Sequence, residues 1–203
     1  MRRKEKVQSS EESEESKRVF PILTIGHSTR SLQAFIDLLN IHGVQMVIDV
    51  RTVPRSRHNP QFNLDTLPDT LSAGGIGYEH MSGLGGLRHP RSDSQNMGWH
   101  NSSFRGFADY MQTEEFEKNL EKLIRLSQRK KISLMCAEAV PWRCHRSLIA
   151  DALQVRGLSV GHITSRGEPR PHNLTPFAEV DGTRITYPAQ IESNPPVQNG
   201  SIK

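Results

Sequence analysis

The chain is poor in several things, and each shortage excludes a class of protein. It has only two cysteines in 203 residues, too few for a disulfide framework, and they read as free thiols in a reducing compartment. No apolar run is long enough to span a membrane. The basic start, Met-Arg-Arg-Lys-Glu-Lys, lacks the apolar segment of a secretory signal. The expectation is a cytoplasmic protein with no membrane partner. The glycine fingerprint of dinucleotide folds is missing, because Gly26 stands alone. Gly-x-x-x-x-Gly-Lys is missing too, so nicotinamide and ATP sites of the usual kinds are not expected, and no cofactor is assigned. Basic residues are not dense either. Residues 19–165 carry 16 Lys and Arg against 13 Asp and Glu, unlike the basic face of a duplex-DNA binder.

Apolar residues make up only 34% of the chain, and the shortage lies at its ends. Residues 1–18 hold Glu-Glu-Ser-Glu-Glu-Ser between basic clusters. Residues 166–203 are rich in Pro, Asn, Ser and Gly without sustained periodicity. Both read as flexible tails, because they offer too little apolar surface to offset the entropy of ordering. A single folded domain is expected over 19–165.

Within that domain the apolar runs at 20–25, 44–50, 132–136 and 158–163 read as strands. Ser31 is a candidate N-cap for a helix carrying Leu32, Phe35, Ile36 and Leu39, and His42-Gly43 closes it. A second helix starts at Thr113, with Glu114, Glu115 and Glu117 in its first turn and Arg129, Lys130 and Lys131 at its end, as the helix dipole favours. A third spans 144–156 and ends at Gly157. Residues 51–112 hold eight glycines, six arginines and four histidines with little periodicity, and read as a long insertion after strand two. The order predicts an α/β fold with an open, mainly parallel sheet of about four to five strands and helices on both faces.

In such sheets ligands bind beyond the carboxyl ends of the strands. His27, Ser28 and Arg30 follow the first strand, Asp49 and Arg51 the second, Cys136 and Glu138 the third, and His162 and Thr164 end the fourth. The densest group is Cys136 to Arg146, which holds both thiols, a carboxylate, an imidazole and two guanidinium groups. Cys144, at a helix start beside Arg143, His145 and Arg146, is the candidate nucleophile, since cations and a helix N-terminus lower a thiol pKa. Against this stands a capping or packing cysteine. Cys136 reads as a buried small apolar residue, and its spacing from Cys144 is not that of a Cys-x-x-Cys redox motif. Glu138 and His145 are candidate proton carriers, with a structural ion pair from Glu138 to Arg51 or Arg146 as the alternative. Asp49 reads first as a salt-bridge partner. The turn at His27, Ser28 and Arg30, together with Arg51, Arg57 and Arg146, is expected to hold an anionic substrate. The alternative there is plain helix capping by Ser28 or Ser31.

Several motifs resemble one family. These are Thr24-Ile25-Gly26-His27-Ser28-Thr29-Arg30, Asp49-Val50-Arg51 with Pro54 and Ser56-Arg57, Leu84-Gly85-Gly86, Gly106-Phe107 with Tyr110-Met111, and Cys136-Ala137-Glu138 followed by Cys144-His145-Arg146. In this order, over about residues 22–164, they resemble the domain of unknown function 488 family. The resemblance implies a Rossmann-like fold and no particular activity. From the residues alone, the leading expectation is an enzyme acting on an anionic small molecule, phosphorylated or nucleotide-like. The second is a nucleic-acid-associated domain using the arginines and aromatics of 51–112. The third is a metal protein using His27, Cys136, Cys144, His145 and His162, although their spacing fits no standard zinc module and no metal ligand is assigned. Oligomeric state is not legible.

Overall fold

The computed structural model describes residues 21–190. The expected N-terminal tail, and the expected C-terminal tail from 191 onward, lie outside the described residues. The fold is mixed α/β, built on a mostly parallel six-stranded sheet.

Strand β1 (Ile22–Gly26) leads to helix α1 (Leu32–Ile41) and strand β2 (Met46–Asp49). Ser31 caps α1, its hydroxyl accepting from Ala34 N at 3.2 Å, and Gly43 beyond its end adopts the left-handed φ of 61°. Helix α2 (Leu67–Ala73), strand β3 (Gly77–His80) and helix α3 (Ser102–Tyr110) follow. Then come helix α4 (Glu114–Ser127), strand β4 (Ile132–Cys136), helix α5 (Arg146–Gln154) and strand β5 (Val160–Ile163). The Thr113 hydroxyl caps α4 by accepting from Phe116 N. The sheet order is β3-β2-β4-β1-β5, extended by a sixth strand, β6 (Arg170–Pro171), which pairs antiparallel with β5.

Successive strand residues face opposite sides, and each side is packed. Leu23, Ile25 and Val47 join α1 and α2 in one buried cluster. Ile22, Ile48, Leu134 and Cys136 join α3, α4 and α5 in the other. Helices therefore cover both faces. The chain leaves β1 toward one face and the neighbouring β4 toward the other. That divergence opens a crevice at their carboxyl ends, where a ligand fits in this class of sheet.

Two expectations need correction. The stretch 51–112 is not a structureless insertion, because α2 and β3 form another parallel strand–helix–strand unit on β2. The signal was weak for a physical reason: β3, Gly77-Tyr78-Glu79-His80, is an edge strand whose residues are all half-buried, so it needs no apolar run. Residues 166–188 are likewise not a loose tail. Besides β6 they form a hairpin of β7 (Glu179–Asp181) and β8 (Arg184–Thr186), and Ile185 and Tyr187 are buried against the main core. Tyr187 donates its hydroxyl to Asp151 at 2.8 Å. Strands of two or three residues show no periodicity, and long-range polar contacts order this segment.

Candidate active site

The crevice holds a cavity of about 450 Å³. Its walls come from the ends of β1, β2 and β4, the start of α5, the turn at 85–87 and the start of α3. Past the strand ends, His27 N donates to Cys136 O and Ser28 N to Ala137 O, both at 2.9 Å. The two outgoing chains are thus clamped together at the site. Gly26 makes this possible, because a Cβ there would overlap the Glu138 carbonyl. The clamp also holds Ser28 at a φ of +48°, a left-handed conformation uncommon for residues other than glycine.

The cysteines, eight residues apart in sequence, come together. Cys136 ends β4 and Cys144 precedes α5 after a short turn at Pro141–Arg143. Their Sγ atoms lie 2.6 Å apart, both are free thiols, and both line the cavity. Cys136 is buried in the main core cluster, as expected of a small apolar residue, and its sulfur also lies against that of Cys144.

The surroundings of Cys144 favour its thiolate. Arg146 Nε donates to Cys144 Sγ at 3.3 Å, and its Nη2 to Glu138 O at 2.6 Å. Arg146 is 1% exposed and meets no carboxylate among the described residues. A guanidinium buried without a counter-charge is costly, so an adjacent thiolate balances it. Burial opposes ionisation of Cys144, but the hydrogen bond from Cys136, His145 and the Arg146 charge outweigh it. The Cys144 thiol therefore lies well below its ordinary range. Burial and the neighbouring Cys144 push Cys136 the other way. The two shifts run in opposite directions, so Cys144 is the sulfur of the pair favoured to ionise.

His145 completes this arrangement. Its Nε2 donates to Val50 O at 3.0 Å, which leaves Nδ1 facing Cys144 Sγ at 3.7 Å. The ring is thereby fixed with Nδ1 toward the sulfur, where a proton on that nitrogen is shared with Cys144 and supports its negative charge. The ring packs on Phe107, with centroids 5.1 Å apart, and on Gly86, where a Cβ would overlap it.

Other expected site residues divide. Asp49 and Arg51 form a buried bidentate pair, with Nε to Oδ1 at 2.9 Å and Nη2 to Oδ2 at 2.5 Å. Tyr78 OH also donates to Asp49 at 2.8 Å. The free edge of Arg51 turns to His27, with Nη1 3.4 Å from Nε2. His27 is 1% exposed and stacks on Phe62 at 4.3 Å. Burial lowers its pKa to about 4, reinforced by Arg51 and opposed by the hydrogen bond to Ser28 O, so at neutral pH it is an uncharged wall of the cavity. Glu138 is exposed at the rim and does not pair through its carboxylate with Arg51 or Arg146. Its backbone serves instead, N donating to Cys136 Sγ at 3.3 Å.

Four expected anion contacts are corrected. Arg30 spends its guanidinium on the carbonyls of Gly26 and Thr164, at 2.7 and 3.2 Å. Arg57 is exposed and lies outside the cavity wall, as does Ser28. Arg146 is sealed behind Cys144 rather than open to a ligand. The open cations are two that the expected site omitted, Arg55 and Arg143. Both are exposed on the cavity wall and make no ion pair among the described residues. The local signal for Arg143 is its place beside Cys144, and that for Arg55 is its place between Pro54 and Arg57. Asn101, Ser103 and Phe104 also line the cavity, with no local signal, because they belong to the unrecognised α3.

His162 and Thr164 do not join this site. They face a separate cavity of about 450 Å³ on the other side of the 141–147 turn. Behind its wall, Thr24, His162, His172 and Asp151 form a continuous hydrogen-bonded chain with links of 2.8, 3.0 and 2.7 Å. It ties the 166–188 segment to the sheet. Among the described residues, no three His, Cys, Asp or Glu side chains converge as metal ligands would.

A mostly parallel α/β sheet with a buried thiol pair at its carboxyl edge is the class of protein that the fold and cavity define. Residues 31–153 match the family described as Domain of unknown function DUF488, and the chain belongs to that family. No curated protein and no solved structure matches the chain.

Proposed function

We propose that this protein is an enzyme whose Cys144 attacks a small anionic substrate bound at the carboxyl edge of a Rossmann-like sheet. One observation carries the reading. Cys144 Sγ lies at the cavity wall with Arg146 Nε at 3.3 Å and His145 Nδ1 at 3.7 Å, the surroundings of a reactive thiolate rather than an inert packing cysteine. His145 beside the thiolate carries a proton to the group that leaves, and Glu138 is the carboxylate at the rim of the same cavity. Arg55 and Arg143 supply the attraction for negative charge, and Val53 and Leu87, 60% and 70% exposed, give the rim an apolar part. The phosphorylated or nucleotide-like substrate expected from sequence is one kind of anion that fits. The two guanidinium groups select for charge rather than for phosphorus.

The small-molecule reading is favoured over nucleic-acid binding by how the other arginines of 51–112 are used. Arg88 stacks on Tyr110 at 3.5 Å, Arg91 pairs with Asp93 and Arg105 donates to Met97. No helix among the described residues is long and apolar enough to cross a membrane. A cytoplasmic location agrees with free thiols kept reduced.

Alkylation tests the proposal. Rates with neutral iodoacetamide and anionic iodoacetate are measured against pH, with Cys144→Ser as the control. Cys144 should titrate well below the ordinary thiol value of about 8.5. Replacing Arg55 and Arg143 by alanine should slow iodoacetate relative to iodoacetamide by about tenfold. Ordinary titration of Cys144 would refute the nucleophile, and an unchanged ratio would refute the anion site.

A further inference from the structure

We infer that Cys136 and Cys144 form a two-electron dithiol–disulfide couple, and that its substrate is a small disulfide bearing carboxylates. The inference rests on the reading of Cys144 as a nucleophile and adds the substrate class and a second reacting residue.

The geometry goes beyond what one nucleophile requires. The sulfurs are 2.6 Å apart, and closing by about half an ångström reaches the covalent S–S length of about 2.05 Å. Both line the same cavity, so a group bound to Cys144 sits beside Cys136. Glu138 N–H points at Cys136 Sγ, a donor that stabilises negative charge on that sulfur as it attacks. The cavity, about 450 Å³, falls in the range for small organic ligands and is far larger than a peroxide requires. Arg55 and Arg143 offer two separate cations for carboxylates, and the rim apolar groups suit an organic body.

The steps balance. The Cys144 thiolate attacks one sulfur of the substrate disulfide. A Cys144–substrate S–S bond forms, the substrate S–S bond breaks, and one substrate thiolate leaves. Cys136 then attacks Cys144 Sγ. The Cys136–Cys144 bond forms, the bond from Cys144 to the substrate breaks, and the second substrate group departs as a thiol carrying the Cys136 proton. The substrate is reduced by two electrons and the cysteine pair is oxidised. An external dithiol returns the pair to its starting state by the same exchange run on the new bond.

The reduced full-length protein is mixed with oxidised glutathione, quenched in acid, and followed by intact mass and free-thiol count. The wild type should lose both thiols, gain no adduct and release two glutathione thiols per chain. Cys136→Ser should stop with one glutathione on Cys144, and Cys144→Ser should not react. The wild type should react about tenfold faster with oxidised glutathione than with neutral bis(2-hydroxyethyl) disulfide. If the wild type itself stops at the adduct, or stays unreacted while Cys144 still alkylates at low pH, the couple is overturned and the nucleophile reading stands. If Cys144 neither alkylates at low pH nor takes up glutathione, both readings fall. Equal rates with the two disulfides would remove the carboxylate-bearing substrate. The wild-type thiol count needs no variant and decides the matter even if the substitutions impair folding.

Discussion

Arg146 is the residue through which the reactivity of Cys144 can be tested most directly. It is fully buried, it touches Cys144 Sγ and Glu138 O, and no carboxylate accompanies it among the described residues. Replacing it with methionine keeps most of the buried stem and deletes the charge. A hydrogen bond to a charged group contributes about 1.5–3 kcal/mol. At 1.36 kcal/mol per pH unit, its loss should raise the Cys144 pKa by about one to two units. The assay is the iodoacetamide rate against pH for wild type, Arg146→Met and Arg146→Lys, after circular dichroism has confirmed that each is folded. Lysine restores the charge without the two-pronged geometry and should recover part of the shift. Stability should change less than deletion of a buried ion pair would suggest. The variant leaves the Glu138 carbonyl without its donor, about 1–3 kcal/mol, but it also removes the desolvation cost of the guanidinium. A folded Arg146→Met protein with an unshifted midpoint would show that the thiolate does not depend on this charge.

Two further outcomes follow from the surrounding shell. Gly86→Ala places a methyl group where the His145 ring lies, so the ring must leave Val50 O. Overpacking of this kind costs about 1–3 kcal/mol, read by urea denaturation, together with slower alkylation of Cys144, and unchanged values for both would remove Gly86 from the support of His145. His27 and His162 both have pKa values lowered to about 4, chiefly by burial. Their unfolded values lie near 6.5, so the unfolded chain binds more protons between those limits. Their contribution is therefore complete above about pH 6.5 and is lost as pH falls toward 4. Urea midpoints across that range should fall less steeply for His27→Gln than for wild type, and parallel curves would count against a buried neutral His27.

Much of this was legible locally. Strands β1, β2, β4 and β5 showed as apolar runs, and Ser31 and Thr113 showed as caps, because strand burial and helix capping leave their marks within a few residues. Their parallel order was enough to bring His27, Arg51, Cys136 and Cys144 to one edge. β3 escaped because an edge strand half-buried along its length needs no apolar pattern. The 166–188 segment escaped because its order comes from contacts such as those of Tyr187 with Asp151 and Asn96, partners far away in sequence.

The sequence by itself determined that a parallel α/β sheet would form and that its carboxyl edge would be rich in thiol, imidazole and guanidinium. Periodicity and element order require no knowledge of distant contacts. Only the tertiary structure decided what each group does there. It brought Cys136 against Cys144, sealed Arg146 behind them, spent Arg30 on carbonyls and left Arg55 and Arg143 open. The direction a side chain takes from a turn depends on what the neighbouring strands and loops have already filled, and no local pattern carries that information.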